Sequence, residues 1–408
     1  MNISLVLLNQ SLVQKISSMF LVALLFLLPM SSSGKSICLA VSLGFILLAP
    51  GNLSELRGLL SKTWCQSALL LFSIVLFSCL WSSGSPSERL FAIQKYSKLL
   101  YLPILVLGFR DPNARHFGLH AFLFSMLFIC GISILKFHGY LQSYLINPDR
   151  IFRNHIMTGH FAAFANYLCL LFFYRQKDFL PRMMYGLMAL ILSYQLIFIN
   201  IGRTGYVIWG LLIILLVVQQ FSWKQIVMIA PLLGVLMGGS YLASPVMKEN
   251  SHLVLQDVKD YRHDMKDTDV GYRLQFYHYA YALFKRHPLI GNGAGSFVYY
   301  FKTENPVPTW HNKALLEPHS QYWLMASEFG IVGLGALTWF FLTLFVAVRP
   351  LDRMKFPAMA MLLSFIIGNV SDSLLFYSGS GYFFLIMMAL FLGESPSGSS
   401  HNKRMQGV

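Results

Sequence analysis

The sequence predicts an all-α polytopic membrane protein with about twelve transmembrane helices and one large helical loop on the non-cytoplasmic side. Hydrophobic residues make up 56% of the 408 residues, charged residues make up only 12%, and the mean hydropathy is +0.57. A soluble domain carries about 25% charged residues, so this chain has too few charges to solvate a surface of its size. Because apolar runs recur from residue 17 to residue 393, we predict a single membrane domain over residues 1–408.

Twelve apolar segments are long enough to be considered as membrane spans, since a helix needs about 20 mainly apolar residues to cross the hydrocarbon. They lie at 17–33, 36–50, 65–82, 94–109, 117–137, 156–174, 183–200, 204–221, 225–243, 321–348, 356–374 and 377–393. The first of them resembles a signal peptide. Lys15 is the only charge before it, however, and residues 31–34 lead directly into the second span, so we expect a retained anchor.

The lysines and arginines of the short connections predict the orientation. If both termini are inside, fourteen lie on the inner side, namely Lys15, Arg57, Lys62, Arg110, Arg115, Arg175, Lys177, Arg182, Lys224, Arg349, Arg353, Lys355, Lys403 and Arg404. Eight lie on the outer side, namely Lys35, Arg89, Lys95, Lys98, Lys136, Arg150, Arg153 and Arg203. Cytoplasmic loops carry the excess of Lys and Arg, so we expect cytoplasmic termini and an external loop over residues 244–320.

This topology also explains the net charge of +14, so the basic composition predicts no nucleic-acid partner. The five cysteines lie in or beside apolar runs and form no CxxC pair, so no disulfide framework is expected. Arg150, Arg153 and Arg203 fall at membrane edges on the disfavoured side. Snorkelling explains any one of them, but together with the loop they form a cationic outer face, which predicts an anionic ligand.

The long loop has the pattern of an ordered segment. Acidic residues at 257, 260, 264 and 267 follow helical spacing, and we interpret them as a solvated face of a helix over 257–267. A second helix is predicted over 271–287 and is ended by Pro288. The glycine-rich run 291–297 has no Gly-Lys-Ser/Thr and no preceding strand, so it is neither a Walker loop nor a Rossmann fingerprint, and a tight turn at the membrane surface is the plain interpretation.

His319 follows Pro318 and opens the next predicted span at the outer boundary. A lone histidine is more often structural than catalytic. Here Arg203, Arg273 and His319 are all predicted on one face of the membrane, and ionisable residues at membrane depth are functional candidates.

Three segments carry a resemblance to a known family. The first is the Gly-Arg-Thr-Gly run at 202–205, and the second is Arg273 followed by the run at 287–297. The third is His319-Ser320 followed, after a gap of nine residues, by Gly-Ile-Val-Gly at 330–333. In these segments, and most strongly over residues from about 150 to 345, the chain resembles the O-antigen ligase family. That family shares its domain with O-antigen polymerases and some protein O-oligosaccharyltransferases.

The resemblance implies a membrane glycosyltransferase with a fold like that of the C superfamily. Such an enzyme would lie in the bacterial inner membrane with its active site facing the periplasm. It would transfer a glycan from undecaprenyl diphosphate to a sugar hydroxyl of lipid A–core. The implied partners are therefore this lipid-linked donor, the lipid A–core acceptor and the membrane lipids.

The chemistry of that reaction assigns roles to the three candidates. Arginine binds phosphate through two parallel hydrogen bonds and stays charged, so Arg203 and Arg273 are predicted to bind the diphosphate and stabilise it as a leaving group. His319 is predicted to be the general base for the acceptor hydroxyl. One direct displacement inverts the anomeric carbon. No carboxylate pair has the spacing of metal ligands near these residues, and arginines can replace a metal at a diphosphate, so we predict metal independence and no cofactor.

Five further residues are secondary candidates, each with a structural role as the alternative. Arg150, Arg153 and His155 precede the sixth span and would extend the diphosphate site. His311 lies in the loop and would contact sugars or core phosphates. Asp372 ends the eleventh span and would orient a cation.

Three other functions stay open. An O-antigen polymerase would use the same donor with a second lipid-linked glycan as acceptor, and a protein O-oligosaccharyltransferase would use a protein. A transporter of the lipid-linked sugar is the non-enzymatic alternative. Transporters place ionisable residues near the midplane and contain inverted repeats. The charges of this chain cluster at the outer edge and no internal repeat is visible, which favours an enzyme.

Overall fold

The computed structural model describes residues 3–142, 147–310 and 315–394, and all regular structure in these ranges is helical. The all-α prediction is therefore confirmed for the described residues. The chain forms two compact units, whereas the extent of the membrane domain over 1–408 stays a prediction. The first unit comprises Met1–Leu25, Ser33–Leu119 and Phe276–Val408, and the second comprises Phe26–Ser32 and His120–Gln275.

The helices follow one another with short connections. In chain order they are α1 (Ile3–Leu27), α2 (Ser32–Leu48), α3 (Asn52–Leu60), α4 (Thr63–Ser78), α5 (Pro86–Tyr96), a 3-10 helix (Ser97–Leu100), α6 (Tyr101–Gly108), α7 (Pro112–Phe137), α8 (His155–Arg175), α9 (Phe179–Tyr194), a π-helix (Gln195–Ile199), α10 (Arg203–Gln220), α11 (Trp223–Ala243), α12 (Pro245–Arg262), α13 (Asp269–Arg286), α14 (Ser296–Glu304), α15 (Gln321–Val348), α16 (Lys355–Ser371) and α17 (Ser378–Leu392).

Among the described residues, seven helices are long and apolar enough to cross a membrane, or eight if the bent pair α2 and α3 is one span. The axes of that pair differ by 102°. Four shorter apolar helices lie at Leu12–Leu27, Thr63–Ser78, Lys355–Ser371 and Ser378–Leu392. Each of the twelve predicted spans overlaps one of these apolar helices. The polytopic architecture is thus confirmed, and the count of twelve stays a prediction.

The long loop at 244–320 carries α12, α13 and α14 in its described part. The helix predicted over 271–287 is confirmed as α13. The helix predicted over 257–267 is wrong beyond Arg262, where α12 ends. Asp264 adopts a left-handed backbone conformation two residues later, with φ of 64°, so the chain turns although the charge spacing continues. The external position of the loop stays a prediction.

In the second unit, α8 packs closely on α9 and α10. A Cβ on Gly205 would lie 3.1 Å from the Cα of Gly159, so α8 and α10 approach each other at backbone distance. The Asn200 side chain donates to the carbonyl of His155 at 3.1 Å and accepts from the amide of Gly202 at 2.5 Å. These bonds tie the start of α10 to the start of α8.

In the first unit, a buried lysine holds the turn between α16 and α17. The ammonium of Lys98 donates to the carbonyls of Leu375, Phe376 and Tyr377 at 2.6, 3.2 and 3.0 Å. The lysine is only 1% exposed, and an isolated buried ammonium is very costly. Three acceptors satisfy its three donors, so the lysine and the turn fix each other.

The glycine-rich run of the first unit lies against a break in α15. Gly330 interrupts the helix with φ of 63° and ψ of −155°, a conformation that only glycine adopts readily. A Cβ on Gly330 would lie 2.5 Å from the backbone of Leu289. The amide of Gly293 donates to the carbonyl of Glu328 at 2.8 Å. The interpretation of this run as a tight turn is therefore confirmed, and its glycines allow two backbones to touch.

This contact makes Gly330 sensitive to substitution. We expect Gly330→Ala to destabilise the fold by at least about 1–3 kcal/mol, because the backbone conformation is strained for alanine and the new methyl group overlaps Leu289. Gly335 lies in the same helix, and an added methyl group there would meet nothing within 4 Å, so Gly335→Ala is the matched control. Thermal unfolding of the detergent-purified variants measures both, and equal melting temperatures would contradict the prediction.

Candidate active site

His319 lies in the connection before α15, in the first unit. Its backbone is left-handed, with φ of 55°, which is uncommon for any residue other than glycine. The hydroxyl of Tyr277 donates to its carbonyl at 2.9 Å, and the ring of Phe276 lies 6.0 Å from the imidazole. The side chain is 24% exposed, so the ring is supported on one side and accessible on another.

Two carboxylates face the Nδ1 atom of His319. The Oε1 atom of Glu317 lies 3.1 Å from Nδ1, and the Oδ1 atom of Asp372 lies 3.6 Å from it. Because both neighbours are carboxylates, they favour the neutral tautomer in which Nδ1 carries the proton. The Nε2 atom is then the acceptor, and it is the atom that can take a proton from a substrate.

Glu317 is fully buried, with a side-chain exposure of 0%. Its Oε2 atom accepts from the amide of His319 at 2.6 Å and from the hydroxyl of Ser373, and its Oε1 atom accepts from the hydroxyl of Tyr377 at 2.7 Å. Burial, together with the nearby Asp372, raises the pKa of Glu317 above its ordinary value, and His319 and the two hydroxyls offset only part of this rise. The donors around it suit the ionised form, which only accepts.

The same residues have the chemistry and spacing of a cation site. Ligand atoms of Glu317, His319 and Asp372 all lie within 4.8 Å of one another. The expectation that no carboxylate pair has metal-ligand spacing near the candidate residues is therefore wrong, since the turn after α16 brings Asp372 to Glu317 from 55 residues away. Metal independence itself stays a prediction.

In the second unit, Arg203 begins α10 and lies beside a buried acid. Its Nη1 atom is 3.6 Å from the Oδ2 atom of Asp257, whose side chain is 11% exposed. The amide of Val270 donates to the same carboxylate oxygen at 3.4 Å. The interpretation of Asp257 as part of a solvated acidic face is therefore wrong, because this acid faces a guanidinium and the start of α13.

Charged residues of both signs lie near the start of α8. His155 lies within electrostatic range of Arg150 and Arg273. Arg150 is bound to Asp149 at 3.2 Å, and the ring of His155 lies 3.9 Å from the same acid. Within the described ranges, Arg273 forms no hydrogen bond or ion pair. Its guanidinium therefore retains N–H groups that can donate hydrogen bonds to an anion.

Two further secondary candidates are Arg153 and His311. Arg153 donates to the carbonyls of Leu28 and Pro29 at 2.9 and 3.3 Å and to the Ser32 hydroxyl at 2.5 Å. This use of its donors favours the packing role for Arg153. His311 lies outside the described residues.

Sequence reasoning missed Glu317, although it is only two residues before His319. Pro318 separates the two residues and restricts the backbone of Glu317 to extended conformations. The short Glu-Pro-His run was the only signal available. Asp372 was found as the end of a span, but its contact with His319 depends on tertiary structure.

Comparison with known proteins agrees with the three sequence segments. Residues 187–338 match the family described as O-antigen ligase. No curated protein matches the chain significantly. The matched region includes Arg203, Arg273 and His319, together with the glycine-rich run. The match covers less than half of the 408 residues, and it agrees with the resemblance that the three segments carry.

Proposed function

We propose that this protein is an O-antigen ligase that transfers a glycan from undecaprenyl diphosphate to a sugar hydroxyl of lipid A–core at the periplasmic face of the inner membrane. The observation that carries the proposal is His319, which lies in the region that matches the O-antigen ligase family and whose Nδ1 atom lies 3.1 Å from Glu317 and 3.6 Å from Asp372. That arrangement leaves Nε2 as a base. Members of this family are ligase- and polymerase-type membrane glycosyltransferases, which fits a base of this kind.

His319 activates the acceptor. Its Nε2 atom takes the proton of the sugar hydroxyl as the oxygen attacks the anomeric carbon of the donor. The ring then becomes an imidazolium, and the carboxylates of Glu317 and Asp372 stabilise this charge, in the manner of the acid in a Ser-His-Asp triad. General-base catalysis of this kind contributes about 10²–10⁴-fold to the rate.

Arg203 and Arg273 bind the donor. The new bond joins the acceptor oxygen to the anomeric carbon while the bond from that carbon to the phosphate oxygen breaks. The lipid diphosphate leaves as its anion, and guanidinium groups are suited to that charge. Within the part of the chain that the structure describes, Arg273 forms no ion pair, and Arg203 has one acid beside it, Asp257 at 3.6 Å. Because one displacement occurs, the product has the inverted configuration.

The same domain also supports the polymerase reaction, which differs only in its acceptor. A reconstituted reaction decides between them. The purified protein and an undecaprenyl-diphosphate glycan are mixed separately with lipid A–core, with a second lipid-linked glycan and with a protein. Transfer of sugar to lipid A–core would support the ligase function. Transfer to only the lipid-linked glycan or only the protein would show that the enzyme is a polymerase or a protein glycosyltransferase instead.

The first functional prediction separates donor binding from proton transfer. His319→Ala should lower turnover by about 10²–10⁴-fold and leave donor affinity nearly unchanged, because its role is in acceptor activation. Arg203→Lys and Arg273→Lys should retain more activity than the alanine variants but less than wild type, because lysine keeps the charge and loses the planar fork. Turnover and donor affinity of folded, detergent-purified variants measure these effects.

Two other variants serve as matched controls. His138 pairs with Tyr194, and Arg286 pairs with Glu304, so His138→Ala and Arg286→Lys should keep wild-type turnover. Loss of donor binding in His319→Ala, with normal binding in both arginine variants, would reverse the assigned roles.

The second prediction concerns metal ions. Activity should survive excess EDTA, because the arginines neutralise the leaving group and both oxygens of Glu317 already accept hydrogen bonds. Turnover with and without EDTA, followed by magnesium or manganese, measures this. If EDTA abolishes turnover and magnesium or manganese restores it, Glu317, His319 and Asp372 hold a catalytic cation.

The third prediction concerns orientation. The loop over 244–320 should face the periplasm and both termini the cytoplasm, because the short connections on the inner side carry more Lys and Arg. Alkaline phosphatase fused after residue 260 should be active, since this enzyme matures only in the periplasm. If only a cytoplasmic reporter is active after residue 260, the loop faces the cytoplasm. The arginines would then lie on the side of the membrane opposite the lipid-linked donor.

A further inference from the structure

We propose that Glu317, rather than Asp372, is the positioning residue for His319, and that the turn held by Lys98 keeps Glu317 in place. This inference rests on the proposed function and deepens it. The two acids are nearly equal candidates by distance alone, at 3.1 and 3.6 Å from Nδ1. Their other contacts distinguish them.

Glu317 contacts His319 at two points. Its Oε1 atom faces the ring, and its Oε2 atom accepts from the His319 amide at 2.6 Å. The backbone of His319 is held in a left-handed conformation with φ of 55°, which a residue other than glycine keeps only where its surroundings enforce it. Glu317 on the amide and Tyr277 on the carbonyl supply that constraint. One carboxylate therefore fixes the backbone and the ring together.

Asp372 is engaged in a different way. Its Oδ1 atom, the one nearest to the ring, accepts from the amide of Ser373 at 3.0 Å, and its carbonyl accepts from the amide of Gln321 at 3.3 Å. These bonds shape the turn after α16. Asp372 therefore adds negative charge near His319 without contacting its backbone amide.

The hydroxyls that hold Glu317 come from the turn that Lys98 organises. Ser373 and Tyr377 donate to the two oxygens of Glu317, and the carbonyl of Tyr377 accepts from Lys98 at 3.0 Å. A chain of contacts thus runs from Lys98 through the turn to Glu317 and then to His319. Each member is buried or half-buried, so few alternative positions exist for the carboxylate.

Glu317→Gln is the central test, since it preserves the shape of the side chain and removes its charge. The Asp→Asn change in a serine protease triad costs about 10⁴-fold in turnover. Because Asp372 remains as a second acid, we expect a smaller loss of about 10²-fold here. Donor affinity should stay near wild type, because the proposed diphosphate contacts are elsewhere.

The pH profile provides a readout that simple misfolding would not change. Glu317 and Asp372 face the ring, and the hydroxyl of Tyr377 faces Glu317. A neighbouring carboxylate favours the imidazolium and raises the pKa of a histidine. Removing one therefore lowers that pKa, so the acidic limb of the kcat profile should move to lower pH in Glu317→Gln. Glu317→Asp keeps the charge, so the acidic limb of its kcat profile should lie at the wild-type pH.

Four comparison variants complete the experiment. Tyr377→Phe should lower kcat several-fold without changing donor affinity, because it removes the hydrogen bond from the Tyr377 hydroxyl that holds the Glu317 carboxylate. Tyr279 and Glu304 form a similar tyrosine–carboxylate pair at 2.9 Å elsewhere in the first unit, so Tyr279→Phe and Glu304→Gln should leave kcat and the pH limb unchanged. Lys98→Met should lower both the melting temperature and kcat. If it fails to fold, Tyr377→Phe still tests the link to the turn.

The outcomes are distinct. A wild-type protein that transfers sugar to no acceptor would refute the proposed function, and this assignment with it. If the wild type is active and Asp372→Asn moves the acidic limb while Glu317→Gln does not, Asp372 is the positioning residue. If Glu317→Gln lowers the melting temperature and kcat but leaves the limb unmoved, Glu317 has a structural role only, and the inference is wrong.

Discussion

The cost of burying charge in an apolar helical protein is the constraint on which the rest of this structure depends. A buried ion must recover its lost hydration from fixed donors or acceptors. Lys98 recovers it from three carbonyls, and Glu317 from an amide and two hydroxyls. Each solution requires a defined backbone turn. The charges therefore determine where the connections at the end of the helices lie, and those connections carry the candidate base.

The same rule identifies which cations are available for a ligand. Arg153 uses its donors on two carbonyls and a hydroxyl of the second unit, so it is part of the scaffold. Arg273 has no such partner among the described residues, and Arg203 has one acid at 3.6 Å. Guanidinium groups that keep donors near a membrane edge are suited to a diphosphate. The sequence alone gives no way to distinguish a scaffold arginine from a ligand-binding one, whereas the contacts of each arginine do.

Much of the fold and part of the site could be predicted from the sequence. Apolar runs locate the helices because hydrophobicity is a local property, and α13 was predicted from its spacing and from Pro288. The contacts of Glu317 could not be predicted, because two of its donors come from a turn more than 50 residues away. The burial of Asp257 was missed for a related reason. Helical spacing shows which residues share a face, but not what that face contacts.

The glycines in the sequence signature have a physical explanation that connects scaffold and site. Gly330 breaks α15, and the amide of Gly293 in the glycine-rich run donates to the carbonyl of Glu328 at 2.8 Å. A helix broken in this way has two parts whose directions are set by the inserted segment rather than by helical continuity. The first part begins at Gln321, two residues after His319. The insertion therefore sets the direction of the helical segment that follows the connection carrying the imidazole, so these glycines contribute to the placement of the candidate base.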